Sequence, residues 1–210
     1  MSHVVLLGDS IFDNAQYVPG GPAVIDQIKA ALPEGWQATL LAVDGAMTRD
    51  VSRQLAKLPK DTTHLVLSAG GNDALMNSWV LNAKGLTAAQ GFATLAKIQK
   101  EFRESYEKML HEVLQRHYHL TLCSIYDSVP GLHPEAVTAL AGFNDVILRE
   151  AVLHKLPLLD LRVLCDEARD YSDVSPIEPS VIGGEKIVSR IVRILTGHNF
   201  HRDGSVIYGK

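Results

Sequence analysis

Three turns in this chain carry groups that could act together on a carbonyl. They are Gly8-Asp9-Ser10, Asp44-Gly45 and Gly70-Gly71-Asn72-Asp73. A serine hydroxyl on a tight turn becomes a nucleophile when a base takes its proton, which makes Ser10 the candidate attacking group. Acyl transfer through serine also needs donors for the oxyanion that develops. The Ser10 N–H, the N–H of Gly45 and the side-chain amide of Asn72 are three such donors. Each motif alone also suits an ordinary strand exit or a capped turn. The three together, in chain order and each following an apolar run, point to one site.

The elements that must position these turns read as alternating strands and helices. Val4-Val5-Leu6-Leu7 is a short buried strand, and further strands are expected over 38–43, 64–69, 119–126 and 157–161. Helical spacing predicts helices from Gly20-Gly21-Pro22 to Leu32, after Thr48, from Thr87 to about His117 with a break near Gly91, from Glu135 to His154, and from Ser180 to Leu195. Residues 76–86 read as loop with a short helix at the rim of a cleft. Such alternation builds βαβ units, a parallel sheet and helices on both faces. The expected fold is therefore a three-layer α/β/α sandwich of flavodoxin-like type with a five-stranded parallel sheet. Its switch point between strands one and three would put Ser10 and Asn72 on one crevice. Residues 1–197 form the expected domain, and 198–210 a tail with one strand candidate, Val206-Ile207-Tyr208.

With these residues in place, the chain resembles the SGNH/GDSL hydrolase superfamily. Gly8-Asp9-Ser10, Gly45 and Gly70-Gly71-Asn72-Asp73 look like its first three blocks, and Asn144 stands where many members carry an Asn on the helix before the last strand. The resemblance runs nearly to the final helix. It implies Ser10 as nucleophile, with Gly45 and Asn72 in the oxyanion hole of an esterase or lipase.

The fourth block departs from that pattern. The family expects Asp-x-x-His before the last helix, whereas this chain has Ser175-Pro176-Ile177-Glu178-Pro179-Ser180. Ser175 occupies the aspartate position and Glu178 the histidine position. Glutamate is the weaker base by roughly 3 kcal/mol of proton affinity. If Pro179 opened the helix, Glu178 would lie at or near the N-cap, where the dipole favours the carboxylate and weakens it further. Burial acts in the opposite sense. Among nine histidines, His133 is best placed to substitute, in the loop after strand four. The two readings are a serine-dependent hydrolase of small carboxylic esters with Glu178 as base, and a catalytically silent relative that binds a ligand or partner in the same crevice.

Composition narrows the classes. The 210 residues are 46% hydrophobic and 21% charged, with a net charge of −4. One domain with a sizeable core fits these values, and the acidic balance argues against nucleic acid as partner. Cys123 and Cys165 lie in or beside apolar runs and read as reduced core thiols. With a strand starting near residue 3 and no apolar run of spanning length, a cytoplasmic protein without signal peptide or membrane span is expected. No Gly-x-Gly-x-x-Gly follows strand one, and Asp9, Asp73, Asp173 and Glu178 lack ligand spacing. No metal or other cofactor is expected.

Overall fold

The computed structural model describes residues 2–210. Its sheet is parallel throughout, in the order β2-β1-β3-β4-β5-β6. The strands are β1 (Ser2–Gly8), β2 (Trp36–Leu40), β3 (His64–Ser68), β4 (His119–Cys123), β5 (Leu158–Leu159) and β6 (Ile207–Tyr208). The α-helices are α1 (Val24–Ala31), α2 (Val51–Leu55), α3 (Gly71–Met76), α4 (Ala88–Leu114), α5 (Pro134–Leu153), α6 (Leu161–Leu164) and α7 (Val181–Gly197). The parallel α/β sandwich is as the sequence predicts, but it has six strands rather than five. The tail supplies the sixth: the Leu158 and Asp160 N–H groups donate to the Val206 and Tyr208 carbonyls.

Strand periodicity divides the core. Val5 and Leu7 of β1 face one side, with α2, α4 and α5, whereas Val4 and Leu6 face the other, with α1, α6 and α7. All four are fully buried. A strand covered on both faces must be apolar at every position, which is why its sequence shows a continuous run.

Several element boundaries depart from the sequence reading. β2 stops at Leu40 because the Leu41 and Ala42 N–H groups both reach the Leu6 carbonyl, turning the chain away. β4 stops at Cys123 because the Asn144 side chain takes over pairing: its Oδ1 accepts from Ile125 N–H and its Nδ2 donates to the Ile125 carbonyl, both at 2.8 Å. α4 runs unbroken through Gly91, capped at Thr87, which exchanges hydrogen bonds with Gln90. α1 begins at Val24, beyond Pro22.

Candidate active site

The first turn owes its shape to Gly8. Its φ is +117°, and a Cβ there would lie 1.6 Å from the Ser68 carbonyl oxygen. Only glycine lets β1 run this close to β3, with which it pairs up to Gly8 and Ser68. The Gln54 amide of α2 clamps the same residue, accepting from Gly8 N–H and donating to the Gly8 carbonyl, both at 2.8 Å. Asp9 then closes the turn, its Oδ1 accepting from Ile11 N–H and its carbonyl from Phe12 and Asp13 N–H. Ser10 emerges buried at the carboxyl edge of the sheet.

The second and third turns are tied to the first and to each other. Asp13 Oδ2 accepts from Asp44 N–H at 2.9 Å, beside Gly45. Asn72 donates through Nδ2 to the Ala46 carbonyl at 3.0 Å, one residue past Gly45. Asp73 accepts from both the Thr48 hydroxyl, at 2.7 Å, and the Thr48 N–H, at 3.0 Å. Thr48, which the sequence offers as a helix cap, is instead the first residue of the 3-10 turn Thr48–Asp50, with Met47 at the N-cap. It is buried and holds the turn after β2 against the start of α3.

Glu178 arrives from the far end of the chain. Its Oε1 accepts from the Ser10 hydroxyl at 2.9 Å, in a buried contact. The helix behind it begins later than Pro179 suggests: Ser180 is the N-cap, its hydroxyl accepting from Gly183 N–H, and α7 opens at Val181. Glu178 therefore sits two residues before the cap, and backbone bonds set its place instead. Its N–H donates to the Ser175 carbonyl and its own carbonyl accepts from Ser172 N–H. The Tyr126 hydroxyl donates to the Ile177 carbonyl, and Asn14 Nδ2 to the Pro179 carbonyl. Asn14 Oδ1 accepts from Val24 N–H, so one buried amide joins this loop to the start of α1.

Burial decides the electrostatics. It pushes the Glu178 carboxyl up to about 7, assisted by the Asp44 charge and opposed by the Ser10 hydrogen bond. Asp9 is likewise pushed up to about 7 by burial, with the Ile11 N–H acting against it and the Glu178 charge adding to it. Glu178 Oε2 is buried and finds no partner among the described residues.

Ser10, Asn72, Asp9 and Glu178 line one cleft, enclosing about 150 Å³. Gly45 occupies the adjoining turn with φ +75° and is not among the cleft-lining residues. Ser175 is half-buried on the approach to Glu178 and contributes its carbonyl. His133 is exposed at the N-cap of α5, and Leu132 and Ala136 line the cleft in its place. Gln54 and Asn14 position the site but were not candidates, because polar side chains within turns and helices carry no periodic signal; Asp73 was read as part of the third turn, without this role. Among the described residues no group of three His, Cys, Asp or Glu side chains converges on a metal position. No helix among them is long and apolar enough to cross a membrane.

A parallel α/β sandwich with a serine at the end of its first strand and an asparagine after its third is the arrangement of an SGNH hydrolase. Residues 6–183 match the model of the GDSL-like Lipase/Acylhydrolase family. This chain belongs to that family. Among solved structures, a lipase from a goat rumen metagenome is similar over 91% of this chain and 96% of its own, with a TM-score of 0.72 and 17% identity. A lipase/acylhydrolase from Enterococcus faecalis matches over 94% and 96%, with a TM-score of 0.65 and 23% identity. An acetyl xylan esterase from Geobacillus stearothermophilus matches over 93% and 94%, with a TM-score of 0.66 and 14% identity. No curated protein sequence matches the chain.

Proposed function

We propose that this protein hydrolyses carboxylic esters through a Ser10–Glu178 pair. The observation that carries this reading is the 2.9 Å hydrogen bond from the Ser10 hydroxyl to a buried carboxylate whose proton affinity burial lifts to near neutrality. A base works best when its pKa lies near the working pH, and about 7 meets that condition where an exposed glutamate does not. Ser10 Oγ attacks the ester carbonyl as its proton passes to Glu178. The Ser10 N–H, the Gly45 N–H and the second amide proton of Asn72 receive the oxyanion. Glu178 returns the proton to the departing alcohol, leaving an acyl-serine. Water then attacks the acyl group, giving a proton to Glu178. Glu178 passes that proton to Ser10 Oγ as the acyl C–O bond breaks, so the carboxylic acid is released and both residues return to their starting states.

Hydrolysis of p-nitrophenyl acetate by the wild type, Ser10→Ala and Glu178→Gln tests this. Ser10→Ala abolishes turnover, and Glu178→Gln lowers kcat by about 10²- to 10⁴-fold. Equal rates in wild type and Ser10→Ala would overturn it. A wild type without activity that gains it on Ser175→Asp with Glu178→His would instead mark the crevice as a binding site.

A further inference from the structure

We infer that the cleft seats an uncharged acyl chain in the groove between α4 and α5, so that the substrates are esters of medium-chain fatty acids rather than acetyl esters. This rests on the serine-hydrolase reading and adds the acyl group to it. From Ser10 the cleft runs away from the sheet edge along two helices. α5 contributes Ala136, Ala139, Leu140 and Phe143, which at spacings of three and four form a single face. α4 contributes Leu95 and Ile98 from the opposite wall. The 3-10 segment Ser78–Asn82 lies across both helices and adds Val80 and Leu81 to the lining. Ile98 and Phe143 are buried, and Phe143 packs its ring 4.7 Å from that of Phe102.

Two features of this face select the ligand. Ala136 and Ala139 are small where α5 borders the cleft, which leaves the groove open past the bulkier Leu140 and Phe143. An acetyl group would leave that apolar wall in contact with water, whereas a longer chain covers it. The second feature is charge. Among the described residues no Lys, Arg or His lines the cleft, while Asp9 and Glu178 do. An acyl chain ending in a carboxylate would meet two acids and no cation, so the occupant is neutral.

The test compares p-nitrophenyl octanoate with p-nitrophenyl acetate. Wild type shows the larger kcat/KM for octanoate, and Ala139→Trp, which fills the groove, lowers the octanoate-to-acetate ratio tenfold or more. Ala136→Phe, one turn away on the same face, does so if Ala139→Trp fails to fold. Val152→Trp, on the exposed side of α5, leaves the ratio alone. Binding supplies a readout free of turnover: with Ser10→Ala, methyl esters from butanoate to octanoate bind about fourfold more tightly per added methylene, and Ala139→Trp flattens that series. Acetate preferred by the wild type, or a flat binding series, overturns the acyl groove. A wild type that hydrolyses no ester overturns the serine mechanism instead, and the binding series still decides the groove.

Discussion

Ser10 and Glu178 stand 168 positions apart in the chain and 2.9 Å apart at the carboxyl edge of the sheet. A serine hydrolase ordinarily holds its base with a third, acidic side chain. Here the residue at that position is Ser175, and it contributes a backbone carbonyl to the Glu178 N–H. Orientation comes from the loop itself, fixed by the Asn14 amide and the Tyr126 hydroxyl on either side of Glu178. A carboxylate has no tautomer to select, so the orienting acid that a histidine needs has no counterpart to replace.

The proposed mechanism fixes the pH dependence that hydrolysis should show. Glu178 accepts a proton only as the carboxylate, and its pKa is pushed up to about 7. The rate kcat/KM therefore rises with pH and levels above about 7, where an ordinary glutamate would give a plateau from near 5. The Asp44 charge adds to the upward shift, so Asp44→Asn moves the rising limb to lower pH. A pH–rate profile of both proteins checks this. A limb that stays in place in Asp44→Asn, or a plateau already reached at pH 5, contradicts the assignment of Glu178 as base.

The two turn glycines separate fold from chemistry. At Gly8 a Cβ would fall 1.6 Å from the Ser68 carbonyl oxygen, whereas at Gly45 it would meet nothing within 4 Å. Both have positive φ. Gly45→Ala bears only the left-handed penalty, about 1–2 kcal/mol. Gly8→Ala adds a backbone collision and loses about 3 kcal/mol or more. Urea midpoints of the two variants rank them, and similar losses would contradict the β1–β3 geometry.

How much of this was legible beforehand depends on whether a residue acts locally. Gly8, Ser10, Asn72 and the parallel sheet could be read because a buried strand and its exit turn are local features, and strand alternation fixes which edge the exits share. The identity of the residue facing Ser10 was also readable, at Glu178. Its strength as a base was not, because desolvation depends on what packs around it. Pro179 suggested a helix start that Ser180 in fact caps, two competing signals one residue apart. Val206-Ile207-Tyr208 was readable as a strand candidate, but not as the sixth strand of the sheet, because that depends on the open edge that β5 leaves. Gln54 reads as one more polar helix residue, and nothing in the sequence tells that its amide closes on Gly8.

Asp73 is a positioning residue whose removal should be felt in stability and in turnover. It is buried and accepts from both the hydroxyl and the N–H of Thr48. Asp73→Ala leaves the buried Thr48 N–H without its acceptor and the Thr48 hydroxyl with only the Ser105 hydroxyl, 2.7 Å away, a loss of about 1–3 kcal/mol in unfolding free energy. Asp73→Asn keeps one acceptor oxygen and loses less. Because Thr48 follows the Gly45 turn, both variants lower kcat more than they raise KM if Gly45 serves the oxyanion, since such donors act in the transition state. Thermal melts and steady-state kinetics check the ranking. A kcat equal to wild type in a destabilised Asp73→Ala would separate this contact from the oxyanion site.

At the opposite, amino edge of the sheet, His64 adds to the acid sensitivity of the fold. His64 packs its ring 4.9 Å from Trp36, 4.8 Å from His119 and 5.5 Å from Phe200 of the tail. Burial pushes its pKa down to about 4, and the neighbouring His119 adds to the shift. The folded state thus binds the His64 proton less tightly than the unfolded chain, whose value is 6.5. Stability is whole above pH 6.5 and declines as pH falls toward 4, by up to about 2 kcal/mol after allowance for solvent screening. Glu178 and Asp9 act in the opposite sense. Their raised values favour the folded state below 4.5 and 3.8, and that contribution is lost as pH rises through about 7. His64→Phe keeps a ring beside Phe200 and removes only the first effect. Urea titrations of wild type and His64→Phe between pH 7 and pH 4 should show the variant gaining on the wild type as acid is added, and parallel curves would contradict a neutral buried His64.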